Sequence, residues 1–232
     1  MLEAHIVKNR RTFKVDVRLS LVEGSKVALF GASGEGKSTV LSCIAGIEPP
    51  DGGEISFRGR KFFPPSMPLH ERAVGYLTQQ DLLFPHLSVE QNVRFGLNRD
   101  QQQFDRDWIN ELRERLNLGP VWRARARQIS GGQARRVAMA RMLARRPPLV
   151  LLDEPFTGLD YPTIMELVDD LLTWQAALGF TLIAVDHRHE ILRRLCPRAI
   201  AIERGIVVQE GTWEELTAAP ATPGLARLLT AR

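Results

Sequence analysis

An apolar strand that runs straight into a glycine-rich loop and then a helix constrains the fold of this chain more than any other feature. The strand is Lys26–Phe30 (KVALF), the loop at 31–39 reads GASGEGKST, and a helix is expected from Lys37 to about Ala45. The glycines let the backbone curl so that its N–H groups point into the loop, where they can hold phosphate oxygens. The loop fits G-x-x-x-x-G-K-[ST] at every fixed position, which predicts an α/β domain with a phosphate site.

The loop pattern gives a role to its polar residues. Lys37 is expected to reach the β- and γ-phosphates, Ser38 to bind Mg²⁺, and Thr39 to contact the α-phosphate. The positive end of the helix that begins here adds to the attraction. A glycine turn that simply precedes a helix is the alternative, and the strand before it makes that alternative the weaker one. The predicted nucleotide contacts in the loop are Gly31, Ala32, Ser33, Gly34, Glu35, Gly36, Lys37, Ser38 and Thr39.

A second strand ends in two acidic residues. Leu149–Asp153 is apolar until its last residue, as in a fully buried strand, and Glu154 follows it. Asp153 is expected to hold Mg²⁺ through its water shell, and Glu154 to orient or deprotonate the water that attacks the γ-phosphate. Two solvated acids at a strand end are the alternative, which the phosphate loop disfavours because the metal needs a hard oxygen ligand.

The sequence ISGGQ at 129–133 provides a serine, bare backbone N–H groups and the start of a helix. Ser130 is predicted to cap this helix, with Gln133 completing a capping box. The motif is a second phosphate-binding terminus, far from the first along the chain. One nucleotide can contact both termini most simply if they belong to different subunits. A capped helix without a ligand is the alternative.

Composition places the chain among ordinary soluble globular proteins. Its 232 residues suffice for one large α/β domain, with 44% hydrophobic and 25% charged residues. No apolar run approaches the ~18 residues needed to span a bilayer, and the first residues, MLEAHIVKNRR, contain no apolar core of a secretory signal. The protein is expected to remain in the cytosol and to reach a membrane only through another chain.

Hydrophobic periodicity predicts the order of the other elements. The chain begins with β-rich sequence, becomes helical over about 86–145, and returns to a β–α pattern. The helical stretch lacks strand signals and shows helical spacing at Trp108, Leu112 and Leu116. Strands are predicted at 2–6, 12–19, 55–57, Val74–Leu77 and Thr181–Val185, a helix at 164–178, and a hairpin of 199–203 with 206–209.

Basic residues exceed acidic ones and give a net charge of +4. Such a balance suits nucleotide phosphate or an anionic membrane surface and does not require nucleic acid. Many arginines concentrate in one region. This concentration is consistent with either a DNA-binding patch or a solvated helix face. Because no aromatic residues interleave with them, the solvated face is favoured and no nucleic-acid partner is predicted. These arginines are Arg123, Arg125, Arg127, Arg135, Arg136, Arg141, Arg145 and Arg146.

The order of these motifs resembles that of ATP-binding-cassette (ABC) ATPases over nearly all of residues 2–217. GASGEGKST is followed by Gln79, ISGGQ, LVLLDE, the GLD at 158–160, and His187. The resemblance implies a P-loop NTPase of the ABC type, an α/β core with an antiparallel β subdomain and an inserted α-helical subdomain. It implies a single ABC ATPase domain over 1–232, with the core at about 1–85 and 146–232 and the helical subdomain at about 86–145.

The same resemblance implies roles that local sequence alone does not give. Gln79 would be the hinge residue that senses Mg²⁺ and water, His187 the switch residue at the γ-phosphate, and Asp160 an acid that crosses a dimer interface. The motif residues Ser130, Gly131, Gly132 and Gln133 would meet the ATP held by the partner subunit.

Three positions depart from the pattern of the family. Ile129 replaces the usual leucine of the signature, and Asp186 precedes His187 where serine or threonine is usual. An acid so close to the γ-phosphate would disturb the switch unless it points away. The aromatic residue that commonly stacks on adenine has no clear counterpart. The segment near Lys8 offers only Phe13 or the guanidinium plane of Arg10 or Arg11, and base stacking is predicted for Arg11 or Phe13.

Membership of this family would make the chain the ATP-hydrolysing, energy-coupling subunit of a membrane transporter, with ATP and Mg²⁺ as its ligands. The implied partners are an identical or paired cassette, integral membrane permease subunits and an extracytoplasmic solute-binding protein. The implied location is the cytoplasmic face of the membrane. The segment at 79–93 is similar to that of bacterial importers of molybdate, sulfate, thiamine and polyamines, which favours import of a small solute or oxyanion. Its apolar loop at 82–87 would receive a short permease helix, the alternative being that Phe84 and Leu87 belong to the hydrophobic core.

Two other functions share parts of this pattern. A soluble ATPase with the same cassette, of the metal-cluster assembly or chromosome-maintenance type, usually carries a long coiled-coil insertion, zinc-binding cysteines or two fused cassettes, and the sequence displays none of these. A P-loop small-molecule kinase would need neither SGGQ nor the switch histidine. The sequence leaves the cargo, the permease and the direction of transport open.

Overall fold

The computed structural model describes residues 1–97 and 106–230, which contain both strands and helices. The strands are β1 (Leu2–Asn9), β2 (Lys14–Leu21), β3 (Lys26–Phe30), β4 (Gly52–Phe57), β5 (Arg60–Phe63), β6 (Val74–Leu77), β7 (Leu149–Asp153), β8 (Thr181–Val185), β9 (Arg198–Glu203) and β10 (Ile206–Thr212). The α-helices are α1 (Lys37–Ala45), α2 (Val89–Arg94), α3 (Arg106–Arg115), α4 (Gly131–Leu143), α5 (Tyr161–Leu178), α6 (His189–Leu195), α7 (Trp213–Ala218) and α8 (Pro223–Thr230).

The parallel part of the sheet has the strand order β9-β3-β8-β7-β6. Every residue of β7 and β8 is buried, which accounts for their uninterrupted apolar sequences and confirms the buried strand predicted at Leu149–Asp153. Because parallel strands share a direction, the residues that follow β3, β8, β7 and β6 lie at one edge of the sheet. This edge carries the phosphate loop, His187, Glu154 and Gln79.

The antiparallel part of the sheet consists of β5, β4, β1 and β2. Strand β10 joins it to the parallel part, because β10 pairs with β9 on one side and bridges from Ile206 to Asp16 of β2 on the other. Strand β2 alternates buried and less buried residues, as its sequence predicts. The sequence does not predict β5, because its four residues, RKFF, bury only Phe62 and show no alternation.

Two hydrophobic clusters occupy the two faces of the sheet. Leu149 and Leu151 of β7 belong to the cluster that includes α1 and the antiparallel strands. Val150 and Leu152 belong to the cluster that includes α2, α3 and α4. The strand that ends in Asp153 is therefore packed from both sides, and the helices share their core with the sheet.

The stretch at 86–145 is helical in its described residues, as predicted. It contains α2, α3 and α4, the single-turn helices Gly119–Val121 and Ala126–Gln128, and one isolated bridge between Ser88 and Arg125. Residues 98–105, which are part of that prediction, lie outside the described residues. The division of the chain into core and helical subdomain at these boundaries stays a prediction. Within 1–97 and 106–230, no helix is long and apolar enough to cross a membrane.

Helix α3 is fastened to α5 by aromatic and polar contacts, which we call the α3–α5 seam. Trp174 Nε1 donates to Glu111 Oε1 at 2.9 Å, and Arg115 Nη1 forms an ion pair with Asp170 Oδ1 at 3.1 Å. The rings of Trp108 and Trp174 meet edge to face, with their centroids 5.9 Å apart. The seam joins the helical stretch to the helix that follows strand β7.

A buried arginine closes the carboxyl end of α1. Arg72 donates to the carbonyl oxygens of Cys43 and Ile44 at 3.0 and 2.9 Å, in the last turn of the helix. It also donates to the carbonyl oxygens of Met67 and Phe62, both at 3.1 Å. Since last-turn carbonyls have no partner within their helix, Arg72 satisfies them and fastens α1 to the β5 region.

Candidate nucleotide site

A cavity of about 400 Å³ opens at the carboxyl edge of the parallel strands. Neighbouring strands supply its walls, because the phosphate loop follows β3, His187 follows β8, Glu154 follows β7 and Gln79 follows β6. Open α/β sheets bind their ligands at this kind of position. The loop residues that line the cavity are Gly31, Ser33, Gly34, Gly36, Lys37, Ser38 and Thr39.

The phosphate loop has a backbone that only glycine accommodates at two positions. Gly31 has φ +151°, and a Cβ there would lie 2.2 Å from the carbonyl oxygen of Ile202. Gly36 has φ +97°, and a Cβ there would lie 2.8 Å from the Val15 side chain. The loop is thus pressed against the sheet at both of its ends. Its curled shape follows from these close approaches.

Lys37 lies across this loop with its ammonium group held by main-chain oxygens. Nζ donates to the carbonyl oxygens of Gly31 at 2.8 Å and Ala32 at 2.7 Å. Burial lowers the pKa of Lys37, and the nearby carboxylates of Glu35, Asp153 and Glu154 oppose that shift. The structure therefore holds one positive charge in the loop, where a phosphate would need it. Ala32 and Glu35 do not line the cavity, and the Glu35 carboxylate instead accepts the backbone N–H of Arg204.

Asp153 is buried behind Ser38 and held by two hydroxyl groups. Ser38 Oγ donates to Asp153 Oδ1 at 3.0 Å, and Tyr76 Oη donates to Asp153 Oδ2 at 3.2 Å. Asp153 is only 3% exposed, and this burial raises its pKa, while the two hydroxyl bonds lower it. A hydroxyl and a carboxylate side by side are the hard oxygen ligands that Mg²⁺ prefers, so these residues fit the metal predicted from the sequence.

Glu154 occupies the wall of the cavity with a strained backbone. Its φ is +48°, in the left-handed region that is unfavourable for a residue with a Cβ. Its N–H donates to the carbonyl oxygen of Val185 at 2.8 Å, and its own carbonyl oxygen accepts from Arg135 Nη2 at 2.6 Å. Such conformations cluster at functional sites, although Arg58, Leu82, Asn117, Arg146 and Arg204 of this chain also have a positive φ.

Asp186, the acid that departs from the family's pattern, is paired with its own neighbour. Arg188 donates to Asp186 Oδ1 from Nε at 2.9 Å and to Oδ2 from Nη2 at 3.0 Å, and the Arg188 N–H also reaches Oδ1 at 2.9 Å. His187 lies beside the pair, with Nδ1 3.6 Å from Asp186 Oδ1, and its side chain is 66% exposed. The negative charge is thus compensated, and the histidine is free to face a ligand in the cavity.

Phe13 and an arginine other than the predicted Arg11 line the cavity. Phe13 lines the cavity, whereas Arg11 is exposed and is not among the lining residues. Arg10 lines it instead, and its Nη2 donates to Thr39 Oγ1 at 2.7 Å and to Glu48 Oε2 at 2.6 Å. The Thr39 hydroxyl, which is predicted to contact the α-phosphate, therefore accepts from Arg10 and keeps its own O–H to donate. Base stacking on Phe13 stays a prediction.

The structure does not bring SGGQ or Asp160 into this cavity. Ser130 caps α4 and Gln133 closes the capping box, as predicted, with Gln133 Oε1 accepting the Ser130 N–H at 2.9 Å. Asp160 caps α5 by accepting the Thr163 N–H at 3.0 Å. A Cβ on Gly132 would lie 3.2 Å from the Leu159 side chain, so the signature and the 158–160 loop lie together. Both belong to a surface outside the cavity wall.

Sequence reasoning missed Tyr76 and Arg135 near the site, and it offered Arg10 only as a plane for base stacking. The prediction of a solvated helix face is wrong for Arg135, which is 2% exposed and bonded to the ends of β6 and β7. A basic run beside SGGQ gives no local signal of burial. Tyr76 is an ordinary strand residue by sequence, and only the pairing of β6 with β7 brings its hydroxyl to Asp153.

Comparison with known proteins identifies the architecture. The model of the family described as ABC transporter matches residues 15–157. A sulfate/thiosulfate import ATP-binding protein of Agrobacterium fabrum is 37% identical over 97% of this chain and 67% of its own length. A molybdate/tungstate import ATP-binding protein of Thermococcus kodakarensis is 36% identical over 97% of this chain and 68% of its own length.

Solved structures agree with the sequence relatives. A dimeric ATP-binding cassette in a post-hydrolysis state, bound to ADP and Pi, has a TM-score of 0.79 and 27% identity over 91% of this chain and 98% of its own length. These matches confirm the α/β cassette fold, with its antiparallel strands and helical insertion, that the motif order implied. The chain belongs to the ABC transporter family, as one of its ATP-binding and ATP-hydrolysing subunits.

Proposed function

We propose that this chain drives the import of a small solute or oxyanion by hydrolysing ATP between two cassettes that are attached to a membrane permease. One observation carries the proposal: the cavity collects the phosphate loop, Gln79, Glu154 and His187, while Ser130 lies outside it. A second copy would supply the missing SGGQ from its own α4. The relatives named for sulfate and molybdate import support the direction of transport and an oxyanion cargo.

Each residue of one cavity has a separate role in ATP hydrolysis. Loop N–H groups and Lys37 hold the phosphates, and Glu154 takes a proton from the water that attacks the γ-phosphorus. His187 donates a hydrogen bond to a γ-phosphate oxygen as charge develops there. Ser38, Asp153 and Gln79 would hold Mg²⁺, whose chemistry when bound is to neutralise charge on the phosphates.

Two cassettes paired head to tail would enclose two ATP molecules. Each triphosphate lies between the phosphate loop of one copy and the Ser130–Gln133 segment of the other, with Asp160 close to the shared interface. ATP stabilises only the closed pair, since the SGGQ contacts exist only there. Cleavage and release of phosphate remove those contacts, and the pair opens.

The partner role of SGGQ is tested by separating ATP binding from dimer formation. Glu154→Gln with Ser130→Arg should bind ATP normally and remain monomeric, because the arginine blocks the partner's triphosphate. Glu154→Gln alone should form an ATP-dependent dimer. Sedimentation velocity with ATP measures the difference, and a fluorescent nucleotide reports binding.

A matched control is available in the capping box of α7. Thr212 caps that helix as Ser130 caps α4, with Glu215 in the place of Gln133. Thr212→Arg in the same background removes an equivalent cap, which costs about 1 kcal/mol, and should leave the dimer intact. A dimer that persists with Ser130→Arg would contradict the proposed arrangement.

The permease would bind a groove of about 450 Å³ beside the Gln79 segment. Eight large hydrophobic side chains are exposed among residues 1–97 and 106–230, and four of them line this groove: Ile47, Leu69, Leu82 and Phe95. Such a concentration of exposed apolar surface marks a protein-binding site. Thr78, Gln80 and Asp81 form the adjoining wall, so a helix in the groove would contact the segment that carries Gln79.

Replacing the groove's exposed apolar residues should detach the cassette from its permease. Leu82→Ser with Phe95→Ser removes two apolar anchors, and we expect copurification from membranes that contain the permease of the neighbouring reading frames to fall at least tenfold. Val22→Ser, at an exposed hydrophobic residue outside the groove, is the control. Undiminished copurification of the double variant would place the docking surface elsewhere.

A further inference from the structure

Arg135 joins three segments that the proposed mechanism requires. It lies in the second turn of α4, two residues after Gln133, and is 2% exposed. Its Nε donates to the Pro155 carbonyl at 2.7 Å. Its Nη1 donates to the Thr78 carbonyl at 2.6 Å and to Asp81 Oδ1 at 3.2 Å. Its Nη2 donates to the carbonyls of Asp153 at 3.2 Å and Glu154 at 2.6 Å.

These bonds use the full donor capacity of a guanidinium group. Arginine has five N–H donors in a rigid fork, and five acceptors surround Arg135. Four acceptors are main-chain carbonyls, so the contact depends on where the backbone runs. A buried cation is expensive to desolvate and is a weak source of stability. We therefore assign Arg135 the role of fixing the positions of the backbone carbonyls that it contacts.

The geometry that Arg135 fixes is the strained backbone of Glu154. The peptide groups of this residue are anchored on two sides. Its N–H donates to the Val185 carbonyl, and its carbonyl accepts from Arg135 Nη2 at 2.6 Å and, over longer distances, from Thr157 Oγ1 at 3.2 Å and the Thr157 N–H at 3.4 Å. With φ at +48°, the residue would be freer to relax toward ordinary values without the Arg135 bond, which is the shortest of the three at its carbonyl. Its carboxylate would then leave the position from which it takes a proton from water. A shift of about 1 Å is enough to reduce turnover strongly.

We infer that Arg135 is a positioning residue, which holds Glu154 in its catalytic conformation and ties it to the Gln79 segment and to the helix that begins at SGGQ. This inference rests on the proposed catalytic role of Glu154. Arg135 and the SGGQ turn belong to the same rigid helix, so seating SGGQ on the partner's ATP moves Arg135 with it. The base in one cavity is thereby connected to the nucleotide in the other.

Replacing Arg135 should separate turnover from ATP affinity. For Arg135→Gln we expect kcat to fall at least tenfold, with KM and the nucleotide Kd within twofold of the parent chain, because the phosphate loop does not contact Arg135. Arg135→Lys keeps the charge but offers three donors in place of five, and should recover part of kcat. If the glutamine variant does not fold, the lysine variant tests the same split between kcat and KM.

A second buried arginine controls for the loss of packing and hydrogen bonds. Arg72 is 3% exposed and donates to four main-chain carbonyls, none of them in the cavity wall. Arg72→Gln should lower Tm about as much as Arg135→Gln and keep kcat per folded molecule within twofold. Equal losses of kcat in both variants would mean that Arg135 serves stability alone, and would overturn the inference.

A double-variant cycle shows whether Arg135 acts through Glu154. Single-turnover hydrolysis by Glu154→Gln/Arg135→Gln should equal that of Glu154→Gln alone, since no carboxylate remains to be positioned. A further tenfold loss would overturn the inference, as would full kcat in Arg135→Gln. Failure of the proposed function is distinct, because it would appear as normal hydrolysis by Glu154→Gln or as a dimer in the Ser130→Arg variant.

Discussion

Glu154→Gln should bind ATP as the parent chain does, hydrolyse it roughly 1000-fold more slowly, and accumulate as an ATP-bound dimer. Glutamine keeps the size of the side chain and the backbone bonds of this residue, which include those from its N–H to Val185 and from Arg135 to its carbonyl. It cannot accept the proton of the attacking water. ATP would therefore continue to hold the two cassettes together, since the step that removes it is blocked.

Two measurements check this variant. Phosphate release gives the turnover, and gel filtration with and without ATP gives the oligomeric state. Glu166→Gln, on an exposed position of α5, makes the same chemical change away from the cavity and should hydrolyse ATP at the parent rate. Turnover of Glu154→Gln within tenfold of the parent chain would show that another group serves as the base.

Lys37→Ala should weaken ATP binding by more than 100-fold, which corresponds to about 3 kcal/mol. The ammonium group is the positive charge aimed into the phosphate loop, where Nζ already bonds to the carbonyls of Gly31 and Ala32. A phosphate would be attracted to this charge in a partly desolvated setting, in which charge-assisted bonds are strong. Alanine removes the charge while the glycine backbone stays in place.

Titration calorimetry with ATP measures the loss, and thermal unfolding establishes that the variant is folded. Lys61→Ala, on the edge strand β5, is the control for removing a positive charge, because Lys61 pairs with Glu54 far from the loop. It should bind ATP with the parent affinity. ATP binding by Lys37→Ala within threefold of the parent chain would refute the role given to this lysine.

Features carried by neighbouring residues could be predicted from the sequence. The strand, glycine loop and helix at 26–45 lie in one short segment, and so does the capping box of Ser130 and Gln133. Strand β7 was predictable because an uninterrupted apolar run means burial on both faces. In each case the physical cause of the structure acts within a few residues.

Contacts between distant segments could not be predicted in the same way. Arg135 reaches residues 78–81 and 153–155, and nothing in a run of basic residues distinguishes a buried guanidinium from a solvated one. The prediction of Arg11 at the site, where the structure has Arg10, has a similar origin. A turn closed by the Arg10 N–H and the Phe13 carbonyl, at 2.8 Å, joins β1 to β2, and Arg10 and Phe13 line the cavity while Arg11 remains exposed.

The α3–α5 seam limits how far the helical stretch can travel during a cycle. An outward swing of α3 would separate the indole rings of Trp108 and Trp174 and leave the buried Asp170 without Arg115. The ion pair adds little resistance, because the Arg115 side chain is 55% exposed, but exposing the buried indole rings is unfavourable. Sliding of packed helices by 1–2 Å is a common way to transmit a change. We therefore expect the helical stretch to move only a short distance during a cycle. Any larger movement that reorients the transport pathway would then occur within the permease.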